Sequence, residues 1–513
     1  MIGCKEENVY FDSFFFLFPY FFIFLATIKS ENEKRERRCL LMSETIRFFG
    51  THTHTMYSNI GSFKDSTVKI KDLMLKAHEL GHQGLAITDH ANISAHIQAL
   101  QTVKALKKEG TLPATFKLGL GVEGYVVDEE KMKREVEANQ RTNFYHMVLI
   151  AKDEIGHHQL RQLTTEAYKR SFTYRGILRV PMFYTDFERI IGTNKGHLVA
   201  TSACLGGYLG KVVTDMLKHP ENERQAHKDK IYEFMCWALD IFGEGNFYLE
   251  LQPSYNQEQI DYNQMLMKIA KAYQVPLTIA TDVHYLRPEN QATHSIFLKS
   301  DEKNSGGREL GDFYNDTYLH TIEEMWEKLS YMGEEDFKQA IFNTHQIATQ
   351  IQDYDLAHDQ IIPKIPLPPR MEWGHYPELY EEAKKYPNIW QMATNDEPYD
   401  NYLINLIFKG MTEKEVPKEE WEKRLKRIDL ECYELIGISK AKKQPLSAYF
   451  ITLQKCMDLI WEEANSITGT SRGSSAGYET SFMLGITQLS PLDQPVEMPH
   501  WRFLSSERID LPK

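Results

Sequence analysis

The chain has 513 residues, of which 42% are hydrophobic, and its 72 acidic against 59 basic residues give a formal net charge of −13. That length holds two or three domains with ample material for cores. The acidity excludes non-specific nucleic-acid binding by the chain as a whole, so a basic surface must be local. The six cysteines, Cys4, Cys39, Cys204, Cys236, Cys432 and Cys456, form no CxxC pair, which argues against a disulfide framework and for a reducing, cytoplasmic setting.

Residues 1–41 stand apart. Residues 14–28 are an almost unbroken apolar and aromatic run, followed by Lys29 and the charged stretch 31–38. The run is short for a membrane span, and its basic residues follow it where a signal sequence would place them first. It reads as an extension outside the fold, with Met42 a sensible start just before the first strand. An N-terminal anchor with its C-terminal side in the cytoplasm is the other reading.

From residue 46 onward, strands and helices alternate. Strands are expected at 46–51, 84–88, 118–127, 147–151, 197–203, 247–252 and 276–281. Apolar residues at three- and four-residue spacing predict helices at 69–80, 96–108, 155–168, 228–242 and 257–273. Such alternation predicts an α/β fold with a parallel sheet and right-handed crossovers. Metal-ligand residue types recur on these strands. His52 and His54 close the first, Asp89 and His90 end the second, Glu123 lies in the third and His146 opens the fourth. Cys204 ends the fifth, and Asp282 and His284 end the seventh. His-x-His alone means little, but so many on successive strand ends imply one cavity holding divalent metal, and favour a barrel.

Beyond the barrel, residues 301–312 read as a loop, and 322–332 and 335–353 as helices. The proline-spaced stretch 361–369 must be extended, as a linker or as an arm packed on the barrel. Helices follow at 401–412 and 418–435, then a strand at 447–453 and a helix at 454–465. The segment Gly469-Thr-Ser-Arg-Gly-Ser-Ser-Ala-Gly477 precedes the apolar run 482–486. A Gly/Ser-rich turn opening a helix offers N–H groups to a phosphate, and Arg472 adds a fork of donors.

Four segments, Phe49-Gly-Thr-His-Thr-His-Thr-Met-Tyr-Ser-Asn59, Gly84-Leu-Ala-Ile-Thr-Asp-His90, Thr201-Ser-Ala-Cys-Leu-Gly-Gly207 and Thr281-Asp-Val-His-Tyr-Leu286, resemble the polymerase and histidinol phosphatase (PHP) domain of C-family DNA polymerases, the alpha subunits of bacterial DNA polymerase III and their phage relatives. Tyr449-Phe450, Arg472-Gly-Ser-Ser-Ala-Gly477 and Arg502-Phe-Leu-Ser-Ser-Glu-Arg508 resemble the start of the same family's palm. The resemblance implies a distorted (β/α)7 barrel over 42–295, a connecting region over 296–370, and the N-terminal part of an α+β palm over 371–513. It implies a metal-ligand set of His52, His54, His90, Glu123, His146, Cys204, Asp282 and His284, with Asp65 at the remaining position. It gives Arg472, Gly473 and Ser474 to the nucleotide triphosphate. The ligand mixture suits two or three ions of zinc, manganese or iron, and the complete polymerase would use magnesium. In the family an Asp-x-Asp pair follows the last motif, whereas here Lys513 follows Leu511-Pro512, so no catalytic residue for polymerisation is assigned.

The resemblance thus implies part of a replicative DNA-directed DNA polymerase whose barrel removes nucleotides in the 3′→5′ direction. Its partners would be primer-template DNA, deoxynucleoside triphosphates, a C-terminal polymerase portion, and a sliding clamp and other replisome proteins. A stand-alone PHP phosphoesterase, or an inert fragment needing a C-terminal partner, are the competing readings. Residues 361–512 argue against the phosphatase, which needs no palm.

Overall fold

The computed structural model describes residues 47–61, 64–300, 312–358 and 360–508. The apolar run at 14–28, the proposed start at Met42, most of the loop expected at 301–312, and the final Leu511-Pro512-Lys513 lie outside them. Among the described residues no helix is long and apolar enough to cross a membrane. The chain forms two compact units that divide between Ala357 and His358.

The described residues of the first unit form ten strands: β1 (Phe49–Gly50), β2 (Gly84–Ile87), β3 (Lys117–Val127), β4 (Tyr145–Ala151), β5 (Phe172–Tyr174), β6 (Ile177–Arg179), β7 (Pro181–Phe183), β8 (Leu198–Thr201), β9 (Phe247–Leu251) and β10 (Leu277–Ile279). Hydrogen bonding runs in the order β1-β2-β3-β4-β8-β9-β10, with β7 added to the far half of β3 and β5-β6 a separate hairpin. The first and last strands of that path meet just beyond their ends. Thr53 bridges Val283, His54 N–H donates to the Val283 carbonyl at 3.0 Å, and Val283 N–H donates to the His52 carbonyl at 3.3 Å. The sheet is thereby curled into a distorted seven-stranded barrel. Strands β2, β8 and β9 are buried along their whole length, as strands covered on both faces are.

The sheet is not all parallel, as the alternation predicted. β4 runs antiparallel to both β3 and β8. The crossover is short beside the strand it follows. β3 has 11 residues and extends about 36 Å, while the helix that follows it, Glu129–Glu137, rises only about 14 Å. The chain re-enters the sheet near the end of β3, where Tyr145 pairs with Val126, so the next strand runs back beside it. His146 is therefore inside β4, paired with Tyr125, and the start of β4 lies where the other strands end.

Around the sheet pack the helices Ile70–Glu79, His96–Lys108, Glu154–Lys169, Gln225–Phe242, Gln257–Tyr273 and Glu334–Gln350. Polar caps mark their starts: Asp153 accepts from Gly156 N–H, and Asn256 accepts from Glu258 and Gln259 N–H. Thr321 and Glu324 form a capping box on Ile322–Leu329.

The second unit is helical in its described residues: Pro377–Ala383, Pro387–Thr394, Pro398–Glu413, Lys418–Lys442, Ser447–Glu462 and the short Glu479–Met483. Three of these open on proline, whose fixed φ suits the first helical position. The strand expected at 447–453 is the first half of a continuous helix. Ala448, Phe450 and Ile451 are buried, and the Ser447 hydroxyl donates to Asp400 Oδ1 at 2.6 Å, so packing overrides a strand-like local composition. The extended stretch 361–369 lies on helices of this second unit: Ile362 N–H donates to Gln444, Tyr399 donates to the Ile365 carbonyl and Thr452 to that of Pro363.

Candidate metal centre

Strand ends and the loops after them carry the donors to one face of the barrel. Three overlapping groups form there: His54, Asp65, His90 and His284; His52, His54 and Glu123; and Glu123, His146 and Cys204, each with donor atoms within 4.8 Å of one another. Asp282 Oδ1 lies between the first two groups, 3.3 Å from His52 Nε2 and 3.2 Å from His54 Nε2. All nine residues named from the sequence thus meet, Asp65 included. Its carboxylate reaches His90 Nε2 at 2.5 Å and His284 Nε2 at 2.7 Å. Ala91, Ala203 and Asp282, each just past a strand, have positive φ of 52°, 55° and 46°, a conformation costly for a residue with a Cβ. A Cβ on Gly206 would stand 2.9 Å from His146 Nδ1, so glycine there leaves room for the ring.

Outer partners decide which ring nitrogen faces inward. His52 Nδ1 is 2.8 Å from Glu250 Oε1, His54 Nδ1 is 2.9 Å from Ser58 Oγ, and His284 Nδ1 is 2.7 Å from the Asp282 carbonyl. Each partner can accept an Nδ1 proton, which leaves the Nε2 lone pair for the cluster. Ser58 donates onward to Asp89 Oδ1 at 2.7 Å, and Asp89 also accepts from Thr55 N–H and Oγ1. Asp89 therefore orients His54 through Ser58 and is not one of the donors. Glu250 is held in turn by Thr201 Oγ1 and Gln252 Nε2. Tyr314 donates to Asp65 Oδ1 at 2.9 Å. Glu250 and Tyr314 carry no sequence signal of this role, and Ser58 lies within the first quoted motif without a role assigned to it there.

The cluster's electrostatics are those of a cation site. Burial raises the cost of charge on Glu123, yet the imidazoles of His146, His90 and His52 outweigh it and hold the carboxylate well below its usual range. Asp65 behaves likewise beside His284 and His90. Burial also opposes charge on His90, but the Glu123 and Asp65 carboxylates raise it to about 10. Burial and the neighbouring His90 and His284 push His54 down to about 3. Burial, Asp282 and Glu123 push the Cys204 thiol up.

Divalent metal fits this arrangement. Both Glu123 oxygens and Asp282 Oδ1 are buried and accept no hydrogen bond of good geometry, although imidazole nitrogens approach Glu123 to between 2.6 and 3.5 Å. His52 Nε2 and His54 Nε2 face each other at 3.1 Å, where two lone pairs would repel without a positive charge between them. Nitrogen, oxygen and one sulfur donor together suit a transition metal more than magnesium.

A cavity of about 720 Å³ opens onto the cluster, lined by Asp65, His90, Glu123, His146, Cys204, Asp282 and His284, and on its outer wall by Arg141, Phe144, Tyr174, Arg175 and Arg179.

In the second unit, Arg472 and Gly473 are exposed, and Gly473 has φ of 70° at the start of the single-turn 3-10 helix Gly473–Gly477. The N–H groups that open the short helix after it, those of Glu479 and Thr480, are already taken by the Glu431 carboxylate at 2.7 and 2.9 Å. The helix-start N–H groups that sequence offered to a phosphate are thus occupied, which leaves Arg472, Gly473 and Ser474 themselves as the exposed or half-buried part of the segment.

Residues 50–254 match the model of the PHP domain, and residues 401–513 match that of the bacterial DNA polymerase III alpha NTPase domain. The chain is 38% identical over 475 residues to a DNA-directed DNA polymerase of Bacillus phage SPbeta, covering 90% of this chain and 36% of that protein. It is 28% identical over 489 residues to the DNA polymerase III subunit alpha of Aquifex aeolicus, covering 91% and 35%. With that of Borreliella burgdorferi the identity is also 28%, over 485 residues, covering 92% and 35%. The chain therefore spans about a third of the length of the curated relatives it matches.

Proposed function

The chain belongs to the DNA polymerase III alpha family and carries its PHP domain, and from that premise we propose that its barrel is a metal-dependent phosphodiesterase that removes nucleotides from a 3′ end. The second unit would supply the first part of the palm of a replicative DNA-directed DNA polymerase. The observation that carries the barrel's activity is the convergence of nine donor residues with buried carboxylate oxygens that no hydrogen bond satisfies.

His54, Asp65, His90 and His284 would hold one ion, His52, Glu123 and Asp282 share a second, and His146 and Cys204 with Glu123 take a third. Zinc, manganese or iron is the expected content. Bound metal supplies Lewis-acid charge at a phosphate and lowers the pKa of water. The protein's own part is to hold that charge in place. Glu250, Ser58 and the Asp282 carbonyl fix three rings, and Asp89 anchors Ser58. The cavity over the cluster offers room for substrate, and His146, the most exposed of the donors in ion pairs there, lies on its lining. In the second unit, Arg472, Gly473 and Ser474 would contact the triphosphate of an incoming nucleotide. The whole polymerase would act on primer-template DNA and deoxynucleoside triphosphates, with magnesium, a sliding clamp and other replisome proteins.

Asp282→Asn tests the barrel. The change keeps shape and removes the charge beside His52 and His54. Manganese- or zinc-dependent release of nucleotides from single-stranded DNA should fall by a factor of about a hundred or more. Release that survives the change unaltered would assign the activity to another site or a contaminant.

A further inference from the structure

The outer wall of the metal-centre cavity is cationic, in a chain whose net charge is −13. Arg141, Arg175 and Arg179 line it together, opposite the carboxylates of Asp65, Glu123 and Asp282. Two of the three are carried by the β5-β6 hairpin, in which Tyr174 pairs with Ile177 and Phe172 with Arg179.

The hairpin is pinned over the mouth. The Tyr174 hydroxyl donates to the Gln140 carbonyl at 2.6 Å, and Arg175 Nη2 donates to the Asn139 carbonyl at 2.6 Å. The Arg179 guanidinium carbon lies 5.0 Å from the centre of the Phe144 ring and that of Arg175 lies 5.5 Å from the Tyr174 ring. Both hairpin-turn residues have positive φ, 51° at Arg175 and 78° at Gly176. A two-residue turn of this kind favours asparagine, aspartate or glycine at its first position. Arginine there costs local stability, and strain of this sort clusters at ligand-binding positions.

The cavity, at about 720 Å³, is larger than one phosphate needs and falls within the range that holds a drug-sized ligand. Guanidinium groups bind phosphate oxygens in a planar fork, and the rings of Tyr174 and Phe144 hold those of Arg175 and Arg179 at the wall. We infer that Arg141, Arg175 and Arg179 form a second, metal-independent phosphate subsite, which holds an inner phosphodiester of a single-stranded polynucleotide while its terminal phosphodiester lies at the metal cluster. The inference rests on the phosphodiesterase reading of that cluster. It makes the hairpin the element that selects chains over single phosphomonoesters.

The test uses the full chain in chelator, titrated with a short fluorescein-labelled oligothymidylate and followed by anisotropy. The double variant Arg141→Gln/Arg175→Gln should bind about tenfold more weakly, and the slope of log affinity against log salt should flatten by about 1.4, the value for two lost single-strand phosphate contacts. Arg175→Lys should keep most of the affinity, since the charge remains. With metal restored, the double variant should hold the wild-type metal content. Its KM should rise more for the oligonucleotide than for p-nitrophenyl phosphate. Unchanged affinity and salt slope, or no oligonucleotide binding by the wild type in chelator, would overturn the subsite. So would loss of metal together with loss of binding, since that marks a structural role. If instead the arginine effect stands while the metal-loaded wild type hydrolyses no phosphoester, the subsite survives and the hydrolytic reading of the cluster falls.

Discussion

His52 is held between two demands. Its Nε2 faces Asp282 and Glu123, and its Nδ1 reaches Glu250 Oε1 at 2.8 Å. Replacing Glu250 by glutamine keeps the shape and a neutral acceptor but removes the negative charge that raises the basicity of His52. Metal affinity, measured by competition with a chelating dye, should drop between about tenfold and a hundredfold with the fold intact. His82 lies away from the cluster and titrates on its own. It is buried against Phe48, with Nε2 2.9 Å from the His320 carbonyl, and burial outweighs that hydrogen bond and depresses it to about 4. In the unfolded chain it takes up a proton near pH 6.5, and in the folded chain only near 4. Between those values the unfolded form binds more protons, so the contribution of His82 to stability is complete above pH 6.5 and is lost as pH falls toward 4. By pH 5 the loss should reach about 2 kcal/mol. Denaturant unfolding at pH 7 and pH 5 reads it: His82→Gln should lower the pH dependence by about one proton, and an unaltered slope would assign the dependence to other groups.

Two elements determine how the sites are presented. The antiparallel β4 brings His146 to the same face as the strand ends. Helix Lys418–Lys442 clamps the segment after the Gly/Ser-rich turn: Arg424 pairs with the fully buried Glu479 at 2.6 Å, Arg427 donates to the Gly477 and Met498 carbonyls, and Glu431 accepts from Glu479 N–H, Thr480 N–H and Thr480 Oγ1. Glu431→Ala would leave two buried N–H groups and Arg427 without that partner. Such groups cost about 1–3 kcal/mol each when unsatisfied, so the second unit should lose about 3 kcal/mol. Calorimetry of the full chain should show the second unit's transition lowered and the first unit's unmoved. A shift confined to the first unit's transition would contradict this account of the clamp.

At the scale of the molecule, two compact units divide between Ala357 and His358, each with its own apolar core. The donor cluster lies in the first unit and is assembled only when that unit folds, so metal held there would stabilise that unit alone. Ligand at a hundred times its dissociation constant stabilises the folded state by about 2.7 kcal/mol. Stripping metal with chelator should therefore lower one thermal transition and leave the other in place, and adding back manganese or zinc should restore it. Coincident shifts of both transitions would mean that the two units unfold as one.

Much of the barrel was legible because periodicity and ligand chemistry are local. The helices at 96–108 and 257–273 begin and end where their apolar spacing places them. His52, His54, His90, Cys204, Asp282 and His284 stand at strand ends, and their side-chain types alone point to metal. His146 was the exception in that pattern, since it opens a strand where the others close theirs. That was a readable sign of a reversed strand, but direction depends on where the chain re-enters the sheet, and that is set by the packed barrel. Glu250 and Tyr314 act through partners 198 and 249 residues away in the chain, a relation that no local pattern carries. Residues 447–453 have the composition of a strand and form a helix, because burial of Phe450 and Ile451 and the Ser447–Asp400 bond are properties of the packed unit. The sequence by itself determined most of the barrel's core strands and helices and the metal-ligand chemistry they carry. Only the tertiary structure decided strand direction, the outer hydrogen bonds that orient the imidazoles and the arginine wall over the cavity, because each depends on groups that meet only when the barrel closes.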